Sequence, residues 1–157
     1  MKLSDFFVTE SIVPELVSSD RNGVLRELVE SLARCGALAP EHTKAVAQAL
    51  IQRENQGSTG FGKGVAVPHI KHASVTSMLA TIGRSSQGVD FAALDRAPVF
   101  TVVLLLSPAD DPDAHLAAME RIFRHLQHDN FRKFLRQADT REAIRDLILE
   151  ADEIQAE

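Results

Sequence analysis

From Val99 to Leu106 the chain is apolar at every position except Thr101. Such a run suits a central strand buried on both faces. Around it the spacing of apolar residues becomes helical. Val24, Leu25, Leu28, Val29 and Leu32 mark one face of a helix that Ser19 or Asp20 can cap, and that runs to about Cys35, with Gly36 as its stop. Pro40 opens a second helix through Ala45, Val46, Ala49 and Leu50 to about Arg53, because proline is tolerated in a first turn. Pro112 or Asp113 starts a third helix that ends near Leu126. Two more helical stretches follow, around Phe131 to Leu135 and Arg141 to Leu149. The tail, 150–157, is acidic and is expected to fray. Short strands are predicted at Val65 to Val67 and at Met78 to Ile82. Ser11 to Leu16 reads as extended, but Pro14 makes it an edge strand at best. Helices before, between and after strands predict a single layered α/β domain over residues 1–157.

Composition narrows the class. The 157 residues suit one domain, and 45% hydrophobic with 25% charged residues is ordinary for a soluble globular protein. A formal net charge of -5 argues against nucleic acid as the partner of the whole chain. No apolar run approaches the ~20 residues of a membrane span. The opening Met1-Lys2-Leu3-Ser4-Asp5 carries no signal-peptide pattern. Cys35 is the single cysteine, reads as structural, and cannot form an internal disulfide. These features lead to an expectation of a reducing, cytoplasmic setting.

The candidate chemistry lies in one stretch. Gly57, Gly60, Gly62 and Gly64 crowd a loop, and Val65-Ala66-Val67-Pro68 then delivers His69. Glycines allow positive φ and close backbone approach, and proline fixes the chain just before the imidazole. The pattern presents one histidine beside backbone N–H groups that can hold an anion. A nucleotide P-loop fits as far as Gly62-Lys63, but Gly64 replaces the hydroxyl that would hold Mg²⁺. The run also follows a helix and opens a strand, the reverse of a P-loop. His69 and His72 lack metal-ligand spacing, and Lys71 between them adds positive charge. A nucleophilic histidine remains, able to carry a phosphoryl group through a ring lone pair.

Gly57, Ser58, Thr59 and Gly60 are the candidate phosphoryl-binding residues, through backbone N–H groups and two hydroxyls. Arg53 lies three residues after Leu50 and seven after Val46, on the apolar side of its helix. It either reaches toward the glycine loop or snorkels with its stem over apolar surface. His115 heads the row Met119, Ile122, Leu126, at the first turn after the most apolar strand. Ligands gather at such strand ends, although a core histidine would show the same pattern. His42, His125 and His128 sit in polar helical surroundings and read as surface residues. His72 reads either as the site's rim or as solvated loop. Phe61 and Ile70 flank His69 and are candidates for an apolar docking ring edged by Lys63 and Lys71. The alternative for Phe61 is burial in the core.

Arg53-Glu54, Gly57-Ser58-Thr59-Gly60-Phe61-Gly62 and Val65-Ala66-Val67-Pro68-His69 together resemble the enzyme IIA proteins of the bacterial phosphoenolpyruvate phosphotransferase system. The resemblance is to the mannitol/fructose type, which includes the nitrogen-regulatory enzyme IIA. It extends through Ser107-Pro108 and Asp113-Ala114-His115-Leu116. Departures from the nitrogen-regulatory pattern fall at Phe61, Lys63, Ile70 and His72. The resemblance implies a mixed central sheet flanked by helices and a phosphocarrier that needs no cofactor or metal. Phosphoryl would pass from the phosphohistidine of the carrier protein HPr to His69 and then onward, with His115 and Arg53 helping to hold it. The acceptor would be an enzyme IIB in sugar uptake or a regulatory target, and a chain without a fused transporter domain leans toward regulation.

Overall fold

The computed structural model describes residues 1–155. Five helices and five strands occur in the order α1 (Arg21–Arg34), α2 (Thr43–Gln56), β1 (Gly60–Gly62), β2 (Val65–Ala66), β3 (His69–His72), β4 (Leu79–Val89), β5 (Val99–Pro108), α3 (Pro112–Leu126), α4 (Asp129–Gln137) and α5 (Arg141–Gln155). The Asp20 carboxylate caps α1 by accepting from Gly23 N at 3.1 Å. Gly36, at φ +77°, ends it, and the Ala37 N–H returns to Leu32 O at 3.0 Å.

The Val99 run forms the central strand β5. On one side it pairs with β2 and β3, both parallel; on the other it pairs with β4, antiparallel. The sheet is therefore mixed, with helices on both faces. Because side chains alternate across a strand, Val102, Leu104 and Leu106 enter the core under α1 and α2. Val103 and Leu105 enter the second core, under α3, α4 and α5.

Several expectations needed correction. β4 runs on to Val89, well past Ile82, because its pairing with β5 continues to Arg84 opposite Thr101 and resumes after a bulge at Val89 opposite Val99. The Ser11 to Leu16 segment forms no strand. A 3-10 turn at Thr9–Ser11 ends on its first residue, and isolated contacts such as Val13 N to Ile82 O, 2.9 Å, cover the outer edge of β4.

His125 is buried, with its ring 5.6 Å from that of Phe131. It follows Ile122 by three positions, which places it on the inner face of α3 despite its polar neighbours. His42 is half-buried, His128 is exposed, and Cys35 is exposed at the end of α1.

The acidic tail also departs from expectation. α5 continues through Glu150 to Gln155, and Asp152 is buried. Its carboxylate accepts from Leu3 N at 2.6 Å and Ser4 N at 3.0 Å, so it anchors the first residues of the chain. Of the segment expected to fray, 156–157 lie outside the described residues.

Candidate functional site

Four elements converge on His69. The last turn of α2 supplies Arg53 and Glu54. β3 begins at His69, which lies opposite Leu105 of β5. Two residues further along β5 is Ser107, and the first turn of α3 brings His115 over it. The His69 and His115 ring centroids are 5.6 Å apart with 40° between planes. His115, whose spacing fits either core or site, is buried and beside His69.

The glycine loop is held by hydrogen bonds to Glu54, to Phe91 and within itself. Ser58 Oγ donates to Phe91 O at 2.6 Å and accepts from Gly60 N at 2.9 Å. Thr59 N donates to Glu54 Oε2 at 3.1 Å, and the Thr59 hydroxyl donates to the other carboxylate oxygen. The Gly57 N–H bonds Glu54 O at 3.1 Å. Thus most donors foreseen as anion ligands at Gly57, Ser58, Thr59 and Gly60 already have partners, on Glu54, Phe91 or Ser58. Among the described residues the Ser58 N–H is the exception. Gly60 has a steric requirement, because a Cβ there would lie 2.9 Å from that of Ala93. Gly62, Lys63 and Gly64 turn the chain at φ +103°, +60° and +78°. Arg53 does reach the loop: its Nη1 donates to Gly57 O at 2.7 Å.

His69 is half-buried, and its Nδ1 lies 2.7 Å from Val67 O. A carbonyl can only accept, so Nδ1 carries the proton and Nε2 keeps its lone pair. Burial, the largest influence, pushes the His69 pKa below the ordinary 6.5, and Arg53 adds to this; the Val67 bond and Glu54 oppose it. His115 is also lowered, first by burial and then by His69 and Lys71. Both shifts favour the neutral ring at pH 7.

A pH titration followed by NMR should show both rings changing state below pH 6.5. The unfolded chain then binds more protons than the fold just below that pH. This contribution to stability is complete above 6.5 and declines as pH falls through the lowered midpoints. A midpoint above 6.5 for either ring would contradict the electrostatic picture.

Phe61 is half-buried, packed edge-to-face on Phe123 at 5.3 Å and against the α3-side core. Ile70 is half-buried against the core under α1 and α2. Lys63 and Lys71 are exposed. His72 is partly buried and caps a turn, its Nδ1 accepting from Ser74 N at 3.0 Å. Among the described residues no three His, Cys, Asp or Glu side chains gather as metal ligands would.

Sequence reasoning missed roles for Glu54 and Ser107. Glu54 is buried and follows Leu50 by four and Val46 by eight, so it continues the apolar row more closely than Arg53 does. Ser107 shares the face of Val103 and Leu105 and thus points at α3. A polar residue on an inward face was the signal in both cases.

In fold, the chain matches the crystal structure of nitrogen regulatory protein IIA-Ntr from Neisseria meningitidis, with a TM-score of 0.83 and 27% identity over 93% of this chain and 98% of that one. The fold and the paired histidines thus define an enzyme IIA-type domain. Residues 5–151 match the family described as "Phosphoenolpyruvate-dependent sugar phosphotransferase system, EIIA 2", and the chain belongs to that family. It is 34% identical over 144 residues to a nitrogen regulatory protein of Bradyrhizobium diazoefficiens, covering 92% of each. It is also 34% identical over 152 residues to the fructose-specific EIIABC component of Bacillus subtilis. That match covers 97% of this chain, which spans only 24% of that relative's length. No helix among the described residues is long and apolar enough to cross a membrane.

Proposed function

We propose that this chain is a cytoplasmic phosphohistidine carrier. His69 accepts phosphoryl on Nε2 from the phosphohistidine of an HPr-type protein. It passes the group to an enzyme IIB-type acceptor or holds it as a regulatory signal. The observation that carries the reading is the Nδ1 contact of His69 with Val67 O at 2.7 Å, which leaves Nε2 as the nucleophile.

The transfer balances without a general base. The His69 Nε2 lone pair forms the new N–P bond as the donor's N–P bond breaks, and the donor ring takes back its electron pair. His69 keeps its Nδ1 proton. As its ring gains positive character, the bond to Val67 O becomes charge-assisted and strengthens. Catalysis then reduces to positioning and charge stabilisation around the PO₃ group. The Arg53 guanidinium, the free Ser58 N–H and His115 are the groups proposed to supply it. Glu54 and the internally bonded loop keep those groups in place. Incubation with enzyme I, HPr and labelled phosphoenolpyruvate tests the reading; absence of protein-bound, acid-labile phosphate would refute it.

Docking is proposed at the apolar surface around His69, with Phe61 and Ile70 as part of the ring. Leu116, next to His115, is 66% exposed and extends this surface. Phe61 also serves the fold, so Phe61→Ser should cost roughly 1–2 kcal/mol of stability in lost burial and ring contact. Leu116→Ser is the cleaner probe. It should raise the HPr concentration needed for half-maximal transfer several-fold, with an unchanged melting temperature. Equal transfer at all HPr concentrations would place docking elsewhere.

A further inference from the structure

Ser107 has no role in the transfer described so far, yet it forms a buried pair with His115. Ser107 Oγ and His115 Nδ1 are 2.6 Å apart; Ser107 is fully enclosed and His115 nearly so. Either partner can donate. A serine hydroxyl, however, always carries a proton, and Ser107 Oγ makes no other hydrogen bond among the described residues. If His115 donated from Nδ1, the Ser107 proton would be buried without an acceptor, an unfavourable arrangement. If Ser107 donates, both groups are satisfied.

We infer that Ser107 is a positioning residue that fixes His115 as the Nε2–H tautomer, so that His115 offers a hydrogen-bond donor to the phosphoryl group on His69. The inference rests on the proposed reading of His69 as the acceptor. It gives the two histidines opposite tautomers. The Val67 carbonyl leaves His69 Nε2 bare for attack, and the Ser107 hydroxyl leaves His115 Nε2 protonated for donation. With the wrong tautomer, His115 would turn a lone pair toward an anion. Side-chain hydroxyls thus enter the site twice removed from the phosphoryl group: Thr59 through the loop, and Ser107 through a ring.

Long-range ¹H–¹⁵N NMR of the unphosphorylated full chain reads the tautomers directly. The wild type should show a protonated Nε2 and bare Nδ1 for His115, and the reverse for His69. Ser107→Ala should remove the His115 preference and slow phosphoryl acceptance from HPr by roughly tenfold, less than the loss of a whole donor. Ser107→Thr should restore both. In a His115→Ala background, Ser107→Ala should change the rate no further. A wild-type His115 protonated at Nδ1 would overturn the inference, as would Ser107→Ala with an unaltered tautomer and rate. A wild type that shows the stated tautomers yet takes no phosphate from HPr would instead overturn the functional reading on which the inference rests.

Discussion

Replacing His69 with alanine should abolish phosphoryl acceptance altogether. Neither His115 nor His72, the histidines nearest to it, is placed to take over. His115 is buried, with Nδ1 occupied by Ser107. His72 uses its Nδ1 within a turn. The His69→Ala variant should fold normally, because the ring is half-buried and its one hydrogen bond returns to its own segment. Labelling from phosphoenolpyruvate through enzyme I and HPr should fall to background, with a circular dichroism spectrum like that of the wild type. Residual acid-labile label in the variant would show that another residue is the acceptor.

The next largest effects are expected at His115 and Arg53. Each is proposed to meet charge on the transferring group, and removing one such donor costs about 2.7–4 kcal/mol, equivalent to roughly 10²–10³ in rate. His115→Ala should therefore accept phosphate slowly in rapid-quench measurements, while His69 remains the labelled residue. Arg53→Ala should slow transfer similarly, and it also removes the bond to Gly57 O, so some loosening of the loop is expected. Arg53→Lys would keep the charge but not the planar fork, and should recover only part of the rate. Rates equal to wild type in His115→Ala would return that residue to a packing role.

The framework of the fold was legible because its strongest signals are local. The apolar run of β5, the capped stripe of α1 and the Pro112 start of α3 each state their structure within a few residues. What escaped depends on pairing with distant residues. His69-Ile70-Lys71-His72 has no strand period and becomes β3 only because β5 supplies a parallel partner. The polar half of β4 is likewise held by its neighbour. His125 reads as a surface residue and Asp152 as part of a fraying tail, because sequence neighbours on a helix do not share a face.

At the site, the glycine–proline–histidine block and its resemblance raise His69 as the candidate acceptor, and helical spacing raises His115 and Arg53 beside it. Which loop donors remain free for an anion was not legible. That depends on Glu54, Phe91 and the loop backbone closing on one another in three dimensions. The tautomer of each ring was equally hidden, since Val67 and Ser107 act through geometry.

Nε2 of His69 is the atom proposed to receive the phosphoryl group. The most direct measurement is NMR on the full chain carrying ¹⁵N-labelled histidine, phosphorylated by enzyme I, HPr and phosphoenolpyruvate. One phosphorus coupled to His69 Nε2 is expected, with the proton retained on Nδ1. Phosphorus on Nδ1 of His69, or on any other histidine, would contradict it.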